Sequence, residues 1–398
     1  MKKRAFWVIV AALSLIFGFG PNLMAANGVT DTEIHIGSWG PQTGPAGAWG
    51  SVVRSTGDYF KMINAEGGIN GRKVIFHQFD DAYNPAKTKA GVKQLQESDH
   101  GIFAWVGGVG TATGMAVKEY LQERKVPWVS PATGSPALAI PPQKYIFPTY
   151  PIYGEEAQLL MRYAVNSGKY KRIAVVYQND EYGKAGLRGA EKELARHGVK
   201  LVTTVPHNIS ETDMKPVIMK LKRAKPDLVL LWLSPSPLVR VLLTGKAMKM
   251  KTQWMTTSTC SDLPLFYKIS RGAIEGIIAA AFTLMPDADN LLLLRYKRRV
   301  FDQFARKGER WGVFYYAGII YGETMVEGLE RAGRNLTRDS FIKGMESFRD
   351  LQGLSGKISY SKFVEGDRLS RKGQNSIYII QCLKNADYNI LADWMSLD

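Results

Sequence analysis

Residues 105–116 read WVGGVGTATGMA, with glycines at 108, 110 and 114 and hydroxyls at Thr111 and Thr113. Glycines this close together let a strand turn sharply into a helix and bare backbone N–H groups at the helix N-terminus. The chemistry on offer is anion binding, of a phosphate or a carboxylate. A second run, Val129-Ser130-Pro131-Ala132-Thr133-Gly134-Ser135-Pro136, is built from the same small and polar types. Two neighbouring turns of this kind at strand ends define a crevice in an open α/β sheet, where ligands bind.

A dinucleotide loop would follow the first strand and carry an acid about 20 residues on. Here the turn follows the third strand, and Trp128-Val-Ser-Pro131 stands where the acid belongs. The spacing therefore fits a carboxylate better than a nucleotide. A helix-capping role for the two threonines is the other reading. Catalytic patterns are missing. His35, His77, His100, His197 and His207 form no H-E-x-x-H pair, and no G-x-S-x-G elbow occurs. Asp80-Asp81 are adjacent in a strand end, where neighbours point apart, so a turn role is expected. No catalytic residue, cofactor or metal is expected.

The elements that must carry these turns can be read from the apolar runs. Glu33–Trp39, Lys73–Phe79, Ile102–Val106 and Val126–Val129 read as strands. Residues 51–64, Thr88–Ser98 and Met115–Arg124 read as the helices between them. After an aperiodic Pro/aromatic stretch, Tyr145–Tyr153, the pattern restarts with strands at Arg172–Tyr177, Lys200–Val205 and Asp227–Leu233. Thr212 or Asp213 is expected to cap the helix carrying Pro216. The alternation is α/β with mostly parallel sheets, in two lobes of similar build.

The chain has 398 residues and a formal net charge of +16. Lys2, Lys3 and Arg4 precede the apolar run AFWVIVAALSLIFGFG and small residues at Ala25 and Ala26, so 1–26 reads as a signal peptide. The densest later basic patch, Arg295 to Arg310, backs an apolar stripe of Leu293, Tyr296, Val300, Phe301 and Phe304. That is a solvated helix face, not a nucleic-acid surface. Cys260 and Cys382 are too few for a disulfide scaffold; pairing and two buried free thiols both fit.

Taken in order, Ile36-Gly37 to Gly44-Pro45, Asn64-Ala-Glu-Gly67-Gly68-Ile69-Asn70-Gly71, Asp80-Asp81 with Pro85, Val129-Ser-Pro to Ser135-Pro136, Asp180-Glu-Tyr182-Gly183 and Lys225-Pro226-Asp227 resemble the periplasmic leucine/isoleucine/valine-binding proteins, the solute receptors of ABC importers. The resemblance implies two similar doubly wound lobes of the type I periplasmic-binding-protein kind, joined by crossing segments around a ligand cleft. It implies an N-lobe of 27–147 plus 284–356 and a C-lobe of 148–283 plus 357–398. The protein would be a periplasmic monomer, bind a small molecule and serve permease subunits; a sensory receptor is the alternative.

The site residues carried over by the resemblance are Trp49, beside the ligand side chain; Thr111, on its carboxylate; Ala132, whose carbonyl meets its ammonium; Tyr182, closing over it; and Ser234, near a usual tyrosine. Gly134 stands in place of a threonine, leaving Thr133 or Ser135 to supply a hydroxyl. Ser258 stands where the family carries the glutamate that pairs with the ammonium. Either Asp262, Asp180 or Glu181 substitutes, or the ligand lacks an ammonium: a hydrophobic or aromatic acid, or an amide.

Overall fold

The computed structural model describes residues 27–371 and 373–397; the expected signal segment lies outside them. The first sheet is fully parallel. It comprises β1 (Glu33–Gly40), β2 (Lys73–Asp80), β3 (Ala104–Val106), β4 (Trp128–Val129) and β5 (Ile146–Phe147), in the order β2-β1-β3-β4-β5. Between them run α1 (Gly50–Ala65), α2 (Pro85–Gln96), α3 (Thr111–Glu123) and the short α4 (Pro136–Ala139). β5 lies in the stretch expected to be a plain crossing. Its two residues pair with Trp128 and Val129 before the chain leaves the sheet.

The second half opens with α5 (Tyr153–Asn166). Then come β6 (Ile173–Gln178), α6 (Glu181–Arg196), β7 (Thr203–His207), α7 (Lys215–Ala224), β8 (Leu228–Trp232), α8 (Pro235–Ala247), β9 (Gln253–Thr256), α9 (Leu263–Ile269) and β10 (Ile278–Ala281). β8 is buried at every position, as expected of a strand covered on both faces. Met214, not Thr212 or Asp213, occupies the cap of α7; Asp213 instead accepts from Lys215 N–H at 2.9 Å.

The chain then returns to the first sheet. There α10 (Leu291–Tyr296), a π-turn, α11 (Asp302–Phe304), α12 (Val313–Ala332) and α13 (Arg338–Glu346) pack on it. Arg338 donates to Ile102 O and Phe103 O, and Phe341 stacks edge-on against Phe103. After a small hairpin, β11 (Leu351–Gly353) with β12 (Gly356–Ile358), the chain crosses a third time. β13 (Ile377–Cys382) and β14 (Tyr388–Met395) finish the second sheet antiparallel, in the order β14-β13-β10-β9-β8-β6-β7. The crossings are tied together: Tyr360 Oη donates to Pro148 O at 2.7 Å, and Thr283 Oγ1 to Leu354 O at 3.0 Å. The buried Arg371 guanidinium pairs with Glu346 at 2.6 Å and lies over Phe147. Both cysteines are free and buried.

The glycine turn after β3 owes its composition to the backbone. Gly107, Gly108 and Gly110 all have φ between 64 and 112°, a region that costs other residues energy. A Cβ on Gly108 would also sit 2.5 Å from the ring of Trp39, one of three packed tryptophans with Trp105 and Trp128. Gly108→Ala should therefore lower stability by about 1–3 kcal/mol or more. Gly154→Ala, whose Cβ meets nothing closer than 3.9 Å in helix α5, should be neutral or slightly stabilising. Urea denaturation of both variants checks the pair.

Candidate functional site

Between the two sheets lies a cavity of about 50 Å³. The first sheet's side supplies Trp49, Tyr83, Val109, Gly110 and Ala132 from the turns after β1 to β4, with Phe314, Ala317 and Tyr321 from α12. The facing side supplies Tyr150, Tyr153, Tyr182, Ser258, Thr259 and Phe282. Four expected residues thus meet here: Trp49, Ala132, Tyr182 and Ser258. Thr111, Thr133, Gly134 and Ser234 lie outside the lining.

Each displacement has a local cause. Thr111 Oγ1 and Thr133 Oγ1 are 2.7 Å apart and bond each other, and Thr133 is also a partner of the Tyr153 hydroxyl. The pair forms a buried polar layer behind Tyr153. Gly134 gives its carbonyl to Tyr153 N–H, and a Cβ there would fall 2.0 Å from Pro151 O. A side chain is excluded by the crossing segment, which accounts for glycine in place of threonine. Ser234 is fully buried at the start of α8. The Ala132 carbonyl accepts from Gly110 N–H at 3.3 Å, tying the two polar turns together.

The lining is aromatic and its hydroxyls are largely paired. Tyr182 Oη lies 2.6 Å from Thr259 Oγ1, and its ring meets Trp49 edge-on at 6.1 Å. Trp49 Nε1–H donates across the cleft to Thr259 O at 2.9 Å. Two further bonds span the gap, Ser236 N–H to Pro45 O and Phe314 N–H to Asp262 Oδ2. Tyr83 enters the cavity from a left-handed turn at Ala82 and Tyr83, with φ of 50 and 61°. Asp80 and Asp81 hold that turn by accepting from Ala82 and Tyr83 N–H. The acid pair is structural.

Behind Ser258 stands an acid that sequence reasoning missed. Glu156 is 1% exposed. Its carboxylate accepts from Ser258 N–H at 2.7 Å and Ser258 Oγ–H at 2.6 Å, and also from the Thr257 hydroxyl. Burial pushes its carboxyl above the usual range, and the three donors act against that. With the Ser258 proton committed to Glu156, Tyr150 Oη–H donates to Ser258 Oγ at 2.7 Å. The three acids expected as substitutes are also engaged elsewhere. Asp262 caps α9 and accepts from Phe314 at the start of α12; burial pushes it up to about 6. Asp180 caps α6, and Glu181 pairs with Arg188. Among the described residues, the lining contains no carboxylate, lysine, arginine or histidine.

Tyr83, Tyr150, Tyr153, Phe282, Phe314 and Tyr321 were not foreseen. The first ten residues of α12 are apolar or small and buried all round, so the segment reads as core, and Tyr150 and Tyr153 lie in the stretch read only as a crossing. A Pro/aromatic cluster at a lobe crossing was the one signal available for the last two.

Residues 33–385 match the family model of periplasmic binding proteins. The leucine-specific-binding protein of Salmonella typhimurium is 23% identical over 279 residues, covering 70% of this chain and 73% of that protein. A fatty acid ABC transporter substrate-binding protein from Thermomonospora curvata has the same fold, with TM-score 0.83 at 21% identity over 94% of this chain and 95% of that one. An ABC transporter solute-binding protein from R. palustris, in complex with benzoate, has TM-score 0.78 at 17% identity, covering 91% and 97%.

The Glu156–Ser258 bond has a pH signature. An acid with a raised folded pKa favours the fold most when protonated, and that contribution is lost as pH rises through the folded value. Removing a donor to the carboxylate raises the folded value further. Ser258→Ala should therefore destabilise more at pH 8 than at pH 4.5, with a penalty at pH 8 of about 1.5–3 kcal/mol. Urea denaturation at the two pH values reads it; a penalty independent of pH would assign Ser258 to packing alone.

Proposed function

The chain belongs to the periplasmic binding protein family, as a solute-binding protein of ABC transporters and not an enzyme, and we propose that its cleft takes a small hydrophobic or aromatic carboxylate without an α-ammonium. The observation that carries this reading is the commitment of every nearby acid. Glu156 is held by Ser258 and Thr257, Asp262 by two helix starts, Asp180 by α6 and Glu181 by Arg188. An ammonium in this cavity would lose its hydration and find no carboxylate, at a cost of several kcal/mol.

The aromatic walls suit a flat ring or short branched chain. The N-terminus of α3, opening at Gly110, supplies N–H groups and the positive end of a 13-residue helix for the carboxylate. The benzoate-bound relative and the fatty-acid relative support a ligand of this class; the leucine-binding relative marks the amino-acid alternative. In the same reading, the lobes are 27–147 plus 284–356 and 148–283 plus 357–398. The chain is exported through residues 1–26 to the periplasm and acts as a monomer that delivers its ligand to permease subunits.

Calorimetry with matched pairs tests the ligand class. A plain acid, such as a phenyl-substituted or branched aliphatic one, should bind at least about tenfold tighter than the corresponding amino acid, a factor that needs only about 1.4 kcal/mol. Tight binding of the amino acid with none of the plain acid would overturn the reading.

Closure of the lobes is a separate outcome. Ligand that contacts both sides binds the closed form better and shifts the population toward it. Small-angle scattering should show a smaller radius of gyration at saturation. Trp49→Phe, which deletes the donor to Thr259 O, should leave the unliganded protein more open. An unchanged radius in both cases would remove closure from the mechanism.

A further inference from the structure

Three of the five histidines meet at the end of the first sheet remote from the cleft. In the parallel register Gly37 pairs with His77 and His35 with Ile75, so His35 and His77 lie on the same face, diagonal to each other. The turn before β3 brings His100 against both. Ring centroids are 5.1 Å apart for His35 and His77, 4.6 Å for His35 and His100, and 4.8 Å for His77 and His100. One nitrogen from each ring lies within 4.8 Å of the other two. His35 is buried, His77 half-buried and His100 exposed.

We propose that His35, His77 and His100 form a transition-metal site for a borderline divalent ion, Zn(II), Ni(II) or Cu(II). Imidazole is the preferred donor for these ions. Three nitrogens around tetrahedral zinc, each about 2.1 Å from the metal, lie about 3.4 Å from one another. His35 Nδ1 and His77 Nε2 are already 2.9 Å apart. The three rings are stacked, 14–25° from parallel, so metal binding requires the more exposed His77 and His100 rings to rotate and aim one nitrogen each at the point His35 Nδ1 faces, with solvent beyond His100 as the fourth ligand.

The tautomer is also set. Glu33 Oε2 lies 3.3 Å from His35 Nε2. With the Nε2–H donated to this carboxylate, Nδ1 presents its lone pair, the carboxylate–histidine–metal arrangement of natural sites. Five residue steps along β1 lead from His35 to Gly40 at the cleft edge, roughly 17 Å. A metal here pins β1, β2 and the turn before β3 without touching solute.

The test is calorimetric titration of chelator-treated protein with Zn(II) and Ni(II) salts, with melting temperature followed in parallel. One saturable site per chain and a saturable rise in melting temperature are expected. His100→Ala, at an exposed position, and His77→Asn should each weaken binding at least about tenfold. Glu33→Gln should weaken it less, and His197→Ala not at all. Absence of saturable binding, or wild-type affinity in both His77→Asn and His100→Ala, would overturn the site.

Discussion

Glu156 is buried beneath the cleft, and no ion pair is formed with it among the described residues. A buried carboxylate in that position must find its compensation in hydrogen-bond donors. It finds them in the turn at residues 257–258, which is thereby held against the start of α5. The remaining contacts of the cleft follow from that anchorage. Ser258 receives Tyr150, Thr259 Oγ1 pairs with Tyr182, and Thr259 O accepts the indole of Trp49 from the other side. Through the turn it anchors, one acid thus orients three aromatic rings, two on its own side and one across the gap. It does so without presenting charge to the solute.

This arrangement makes the site's polarity depend on depth. At the surface of the cavity are ring faces and hydroxyls whose bonds are for the most part already made. One layer behind lie the Thr111–Thr133 pair on one side and Glu156 on the other. Polar groups there fix geometry, because moving any of them leaves a buried donor or acceptor unpaired. A rigid, apolar wall discriminates by shape and by the cost of desolvating a charged group that finds no partner.

Much of this architecture was legible in the chain. Apolar runs such as Leu228–Trp232 declare buried parallel strands, and the glycines at 107, 108 and 110 mark a backbone that no other residue adopts cheaply. The resemblance led to Trp49, Ala132, Tyr182 and Ser258 because each sits in a turn whose neighbours are themselves distinctive. It also named Thr111, Thr133 and Gly134, which the structure places a layer behind the lining; the Thr111–Thr133 pair forms only when two separate turns are brought together. Glu156 was invisible for the same reason. Within α5 it reads as an ordinary first-turn acid, and its partner lies 102 residues away. The histidine cluster likewise joins positions 42 residues apart that no local motif connects.

The three crossings also dictate the order in which the molecule can fold. The strands of the first sheet end at Phe147, yet α12 and α13, which cover it, are made only at Val313–Glu346. Thr56 bonds Gly318 O across 262 residues. The second sheet waits still longer, for β13 and β14 at Ile377–Met395. Closing loops of this length carries an entropic cost that grows with separation, and pairings so distant form slowly. A nascent chain emerging from the ribosome therefore carries two half-built layers, each with an uncovered apolar face. The second layer is complete only once the last strand, β14 at Tyr388–Met395, has arrived.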